Sequence, residues 1–161
     1  MTLLRHLVAT LAYRSAKVLR DVPEGFATFE FSAGRRTPIQ IVAHLGDLMT
    51  WACYLVDGEY RWAAEGSNDW ETEVRRFFDR LAQLEQRLAR VDQPGHPAEI
   101  LIQGPLADAL THVGQLSMLR GAAGSPVRPE SYAKAEIVIG RVGPEQAPAG
   151  KEFDGDASVR R

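Results

Sequence analysis

Apolar residues recur at three- and four-residue steps through four stretches of the chain, and each stretch predicts an amphipathic helix. The first runs from about Leu3 to Leu19, with Leu4, Leu7, Val8, Leu11 and Val18 on one face, and is ended by Pro23 and Gly25. The second begins at Thr37-Pro38, because threonine caps orphan amides and proline tolerates the first helical position; it runs to about Val56, before Asp57 and Gly58. Its stripe of Ile41, His44, Leu48, Trp51 and Leu55 places a histidine in a core-facing row, a position that is destabilising unless the imidazole finds a partner. The third, from about Asp69 to Val91, has Val74, Phe77, Leu81, Leu84, Leu88 and Val91 on one side and Glu71, Arg75, Arg80, Gln83 and Arg87 outside. The fourth, from Pro105 to about Gly121, carries Leu106, Ala109, Leu110, Val113 and Leu116 on one arc and Asp108, His112 and Gln115 on the next.

The intervening segments lack this periodicity. Phe26 to Arg36 alternates Phe29 and Phe31 with polar neighbours, but no partner strand follows, so it reads as a long ordered crossing loop. Pro94, Gly95 and Pro97 break the chain, and Ala98 to Gly104 reads as a connector. Beyond Gly124-Ser125-Pro126 a short helix is expected near Pro129 to Ile139, followed by an irregular, loosely packed C-terminal tail. The pattern as a whole predicts an all-α, four-helix bundle over residues 1–142, with the tail at 143–161.

Composition narrows the classes of function. With 161 residues, 45% hydrophobic and 25% charged, the chain fits one soluble globular domain and is not expected to be disordered. A formal charge of -2 gives no field to gather nucleic acid or an anionic membrane, so neither is an expected partner. The start of the chain is interrupted by Arg5 and His6 and has no small-residue cleavage site, so no signal peptide is expected. The most apolar run, Ile39 to Val56, contains Gln40, His44 and Asp47 and reads as too short and too polar for a membrane span. Cys53 is the only cysteine; flanked by Trp51, Ala52, Tyr54 and Leu55, it reads as a buried thiol, and a reducing cytoplasm is the expected location.

Asp108, His112 and Gln115 stand at i, i+4 and i+7, so a helix points carboxylate, imidazole and amide the same way. Two readings compete. Asp108 and His112 can satisfy each other as an ion pair, and His44 can bond a backbone carbonyl or Asp47 one turn away. Alternatively, one divalent ion held by His44, Asp108 and His112 satisfies all three, leaving coordination positions open as in a catalytic site. The donor set does not choose among zinc, nickel and iron. Asp47 and Gln115, one turn from the candidate ligands, are candidates for orienting an imidazole or holding a bound water. His6 and His96 read as solvent-exposed. Arg35-Arg36 are candidates to hold an anionic substrate or are simply solvated, and Tyr132 and Lys134 are candidates to reach over the bundle end. There is no nucleophile elbow, phosphate-cradling glycine loop or zinc-finger cysteine pattern.

With these residues in place, the chain resembles the DinB-like, or YfiT-like, superfamily of metal-binding four-helix bundles. The resemblance rests on His44-Leu45-Gly46-Asp47 with Trp51, then Asp108-Ala109-Leu110-Thr111-His112-Val113-Gly114-Gln115-Leu116 and Leu119-Arg120, in that order through nearly the whole domain. Asp108 stands where the family pattern has its first histidine, and Val113 where an arginine is common. The resemblance implies a three-ligand divalent metal site near one end of the bundle. A divalent ion there would acidify its bound water, so hydrolysis of a small-molecule substrate is the leading expectation; the resemblance implies a second chemistry, thiol-dependent S-transfer or isomerisation with a low-molecular-weight thiol as cofactor. A homodimer is expected, since bundles of this family commonly pair. The competing class is a non-enzymatic bundle that binds a small molecule.

Overall fold

The computed structural model describes residues 1–153 and is all-helical, with no strand among the described residues. Four long helices form the bundle: α1 (Thr2–Leu19), α2 (Pro38–Val56), α3 (Trp70–Arg90) and α5 (Ala107–Ala122), with the single turn α4 (Ala98–Leu101) leading into the last. The starts follow the sequence chemistry. Pro38 opens α2 behind Thr37, whose amide donates to Gln40 Oε1 at 3.0 Å, and Asp69 caps α3 by accepting from the Thr72 amide at 2.8 Å.

α3 and α5 each pack against both α1 and α2, which sets α1 and α2 across the diagonal of the bundle. That diagonal explains the long crossing loop. The chain must pass over one end of the bundle between α1 and α2, and it pins itself there through Phe26, which is fully buried edge-on to Trp70 at 5.8 Å. The core is one continuous cluster from Leu4, Val8 and Leu11 through Val42, Leu45, Met49 and Phe77 to Leu106, Ala109 and Leu116. α2 lies at its centre. This 19-residue helix has a mean hydropathy of 1.3, long and apolar enough to cross a bilayer by length and composition, contrary to the sequence expectation; 78% of it is buried within the bundle, which accounts for its apolar surface.

Two local predictions are corrected. The segment expected to be a connector, Ala98 to Gly104, is helical at Ala98–Leu101 and continues through a wide helical turn, Ile102–Leu106, into α5. Gly104 departs from helical geometry there (φ -87°, ψ -106°), and Pro105 has no amide hydrogen to offer, so the chain kinks without stopping. Read as breakers, the same two residues hide the turn. A Cβ on Gly104 would stand 3.1 Å from the Trp51 ring, so a side chain there would press on α2. The second correction concerns Pro129 to Ile139, which holds only a single tight turn at Tyr132–Lys134 instead of a helix.

Side-chain bonds to α1 replace regular structure in that region. Glu130 is buried, accepting from the Tyr13 hydroxyl and from Lys17 Nζ, both at 2.7 Å, and Lys17 also reaches Glu152 at 2.8 Å. Ser131 and Phe153 donate to Lys151 and Pro129 carbonyls at 2.9 Å, so the described part of the expected tail returns alongside this segment. The rest of that tail, residues 154–161, lies outside the described residues.

Candidate metal centre

The wide turn before α5 delivers Asp108 to the first helical turn, and the four-residue step brings His112 over it. Across the interface, α2 presents His44. His44 Nε2 stands 3.5 Å from Asp108 Oδ2, and His112 Nε2 stands 3.5 Å from Asp108 Oδ1. The two imidazoles meet edge to face, with centroids 4.9 Å apart and planes at 89°. One donor atom from each of the three residues lies within 4.8 Å of the others, so the structure brings together the three candidate ligands read from sequence.

These spacings bear on the two readings of the cluster. At 3.5 Å neither histidine is within good hydrogen-bonding distance of the carboxylate, which ends near 3.2 Å for nitrogen donors. A tetrahedral ion with ligands at roughly 2.1 Å holds adjacent donors about 3.4 Å apart. With one donor atom from each residue within 4.8 Å of the others, the group could hold a metal ion. Burial grades across it: the histidine side chains are 18% and 10% exposed while Asp108 is 47% exposed, so the carboxylate forms the open side.

The protonation states suit a cation. Burial lowers the His44 pKa from its ordinary value, neighbouring Arg36 and His112 lower it further, and Asp108 opposes them without prevailing, which favours the neutral imidazole. His112 Nδ1 lies 2.7 Å from Gln115 Oε1. An amide oxygen only accepts, so Nδ1 is the donor in this bond and Nε2 is left as the nitrogen facing Asp108. Gln115 thus contacts the His112 ring directly.

Asp47 takes a different part. Its Oδ1 accepts from Arg76 Nη1 at 2.8 Å and from the Glu65 amide at 3.0 Å, and it serves the α2 to α3 interface rather than His44. Arg76 also donates to Glu73 Oε2 at 2.7 Å and to the Ala43 carbonyl at 2.6 Å, while Glu73 Oε1 accepts from the Ser67 amide at 2.7 Å. Gly46 makes room for this guanidinium, since a Cβ there would stand 2.6 Å from Arg76 Cζ. The network ties down residues 65–67 of the loop between α2 and α3, and that loop lays Trp62 against His44 with centroids 5.7 Å apart. Neither Arg76 nor Trp62 stands out in sequence; the available signals were the Glu73, Arg76 step at the edge of the apolar stripe and the two aromatics in an otherwise polar loop.

Other candidates lie elsewhere. His6 is exposed, whereas His96 is half-buried against Tyr60 at 5.8 Å instead of free in solvent. Tyr132 packs edge-on to Tyr13 at 6.3 Å under the Arg14 guanidinium, on α1. Cys53 is buried 3.9 Å from the Arg80 carbonyl, and burial pushes its thiol up to about 11, so it is neither ligand nor nucleophile. A cleft of about 620 Å³ opens beside His112 and Gln115 and is bounded by Arg35, Arg36, Phe31 and Met118. No family model, curated protein or solved structure matches the chain.

Proposed function

We propose that this chain is a metal-dependent enzyme of the DinB-like type, holding one divalent ion on His44, Asp108 and His112 and hydrolysing a small molecule bound in the adjoining cleft. The observation that carries this reading is the convergence of three donors from two helices at separations a single ion spans. A divalent ion so held supplies Lewis acidity and a water acidified toward neutral pH, so no separate nucleophile is needed.

The residues supply the rest. His44 and His112 offer imidazole nitrogens, Gln115 orients the His112 ring through Nδ1, and Asp108 lowers the net charge of the loaded site by one unit while facing solvent. Trp62 lies against one side of the His44 ring. The cleft contacts His112 and Gln115 directly, so a bound molecule reaches the centre from that side.

The test is a reaction panel on metal-loaded protein: ester and amide hydrolysis beside conjugation of low-molecular-weight thiols to electrophiles, repeated with Asp108→Ala and His112→Ala. Hydrolysis lost in both variants supports the reading. Conjugation without hydrolysis assigns the site to thiol transfer, and a chain that takes up metal without either activity is a binding bundle.

A further inference from the structure

Two guanidinium groups beside the centre have no role in holding a metal. Several basic side chains of this chain answer an acidic one: Arg5 with Glu85, Lys17 with Glu130, Arg76 with Asp47, Arg80 with Glu65, Arg87 with Asp57. Arg35 and Arg36 do not; among the described residues no carboxylate lies within ion-pair distance of either, and both border the 620 Å³ cleft. They are presented by a tight turn in which Gly34 takes φ 73° and the Arg35 amide donates to the Ser32 carbonyl at 3.2 Å. The same cleft exposes apolar surface, since Phe31 and Met118 are each 58% exposed.

Unpaired guanidinium groups next to exposed apolar surface form a two-part recognition surface, in which charge fixes the orientation of a ligand and the apolar wall holds its body. We infer that the cleft binds a small amphipathic anion, with its carboxylate or phosphate head on Arg35 and Arg36 and its apolar part on Phe31 and Met118. As the substrate subsite this rests on the proposed function, because His112 and Gln115 belong to the same cleft. The anion-binding property itself does not require metal.

The experiment titrates octanoate, octyl phosphate and octanamide into the isotopically labelled full-length chain, stripped of metal by chelation so that no probe binds through an ion. Amide shifts of residues 32–36 and 115–119 report the site. Charge-assisted bonds to two guanidinium groups predict that an anionic probe binds about tenfold or more tightly than octanamide. Arg35→Gln with Arg36→Gln removes that preference while octanamide affinity and thermal midpoint stay unchanged, and Arg75→Gln, on another face, alters nothing. Tighter octyl phosphate identifies a phosphate head, tighter octanoate a carboxylate. Equal affinity for charged and neutral probes, a preference surviving the double substitution, or no shift at these residues overturns the inference. Metal uptake without charge preference refutes the subsite alone; charge preference in a chain that takes up no metal refutes the metal reading alone.

Discussion

Replacing Arg76 by methionine should be among the most damaging single changes outside the apolar core. The guanidinium is 15% exposed and neutralises two carboxylates more deeply placed than itself, Asp47 at 9% and Glu73 at 1%. Methionine keeps the packing volume and removes the charge, stranding two anions and one carbonyl, that of Ala43. Breaking a buried pair by removing one partner costs about 3–5 kcal/mol; the lower end, ~3 kcal/mol, applies because water reaches part of the site. The pH dependence follows from Glu73. Burial alone would raise its pKa, but the Ser67 amide and Arg76 outweigh burial and hold it below the usual carboxylate range. Its contribution is therefore complete above the unfolded value of about 4.3 and is lost as pH falls through the lower folded value. In the variant the stranded carboxylate is relieved by protonation instead. Urea denaturation followed by helical circular dichroism should show the gap between wild type and Arg76→Met narrowing from about pH 7 to about pH 4. Substituting Asp47→Leu and Glu73→Met in the same background should recover most of the loss. A gap below about 1 kcal/mol, the value of an exposed ion pair, or one independent of pH, would refute the reasoning.

Further expectations follow from the other polar contacts. Arg120 spends all five of its donors on the Val18, Arg20, Asp21 and Ser125 carbonyls and the Ser125 hydroxyl, closing the end of α1, so Arg120→Met should lose about 3 kcal/mol and Arg120→Lys, with fewer donors, an intermediate amount in the same urea assay. Cys53 should resist a thiol-disulfide reagent at about pH 8 in the native chain and react at once in denaturant; prompt native reaction would contradict its burial and raised pKa. Gln115→Leu frees the His112 tautomer and should weaken zinc affinity about 10- to 100-fold in chelator competition, with the thermal midpoint of the metal-free chain little changed.

The helices were legible because their apolar stripes are long and each begins or ends at a recognisable residue, such as Thr37-Pro38 or Asp57-Gly58. The candidate ligands on α5 were legible for a related reason, since a helix converts the spacing of Asp108 and His112 into proximity. That His44 faces them depends on how two helices dock, which periodicity does not specify; its place in a core-facing row and the His44-Leu45-Gly46-Asp47 resemblance were the hints. Asp47 shows the limit. It stands one turn from His44, yet its partner Arg76 is 29 residues away on α3, and a long-range partner won over the local one. The wide turn at Ile102–Leu106 was hidden because Gly104 and Pro105 end most helices, and here the surrounding packing, Trp51 against Gly104, carries the chain through. The segment after Pro129 was misjudged because its order comes from Glu130 reaching Tyr13 and Lys17, contacts with no sequence period.

The shared grip of two imidazoles and one carboxylate on a single ion is tested most directly by metal stoichiometry. Untagged protein purified without added metal, then titrated with zinc and washed free of excess, should retain about one equivalent by elemental analysis, and Asp108→Ala, His112→Ala and His44→Ala should each retain little or none while keeping the wild-type helical content. Equal retention by wild type and all three variants, or none by wild type, would contradict the account.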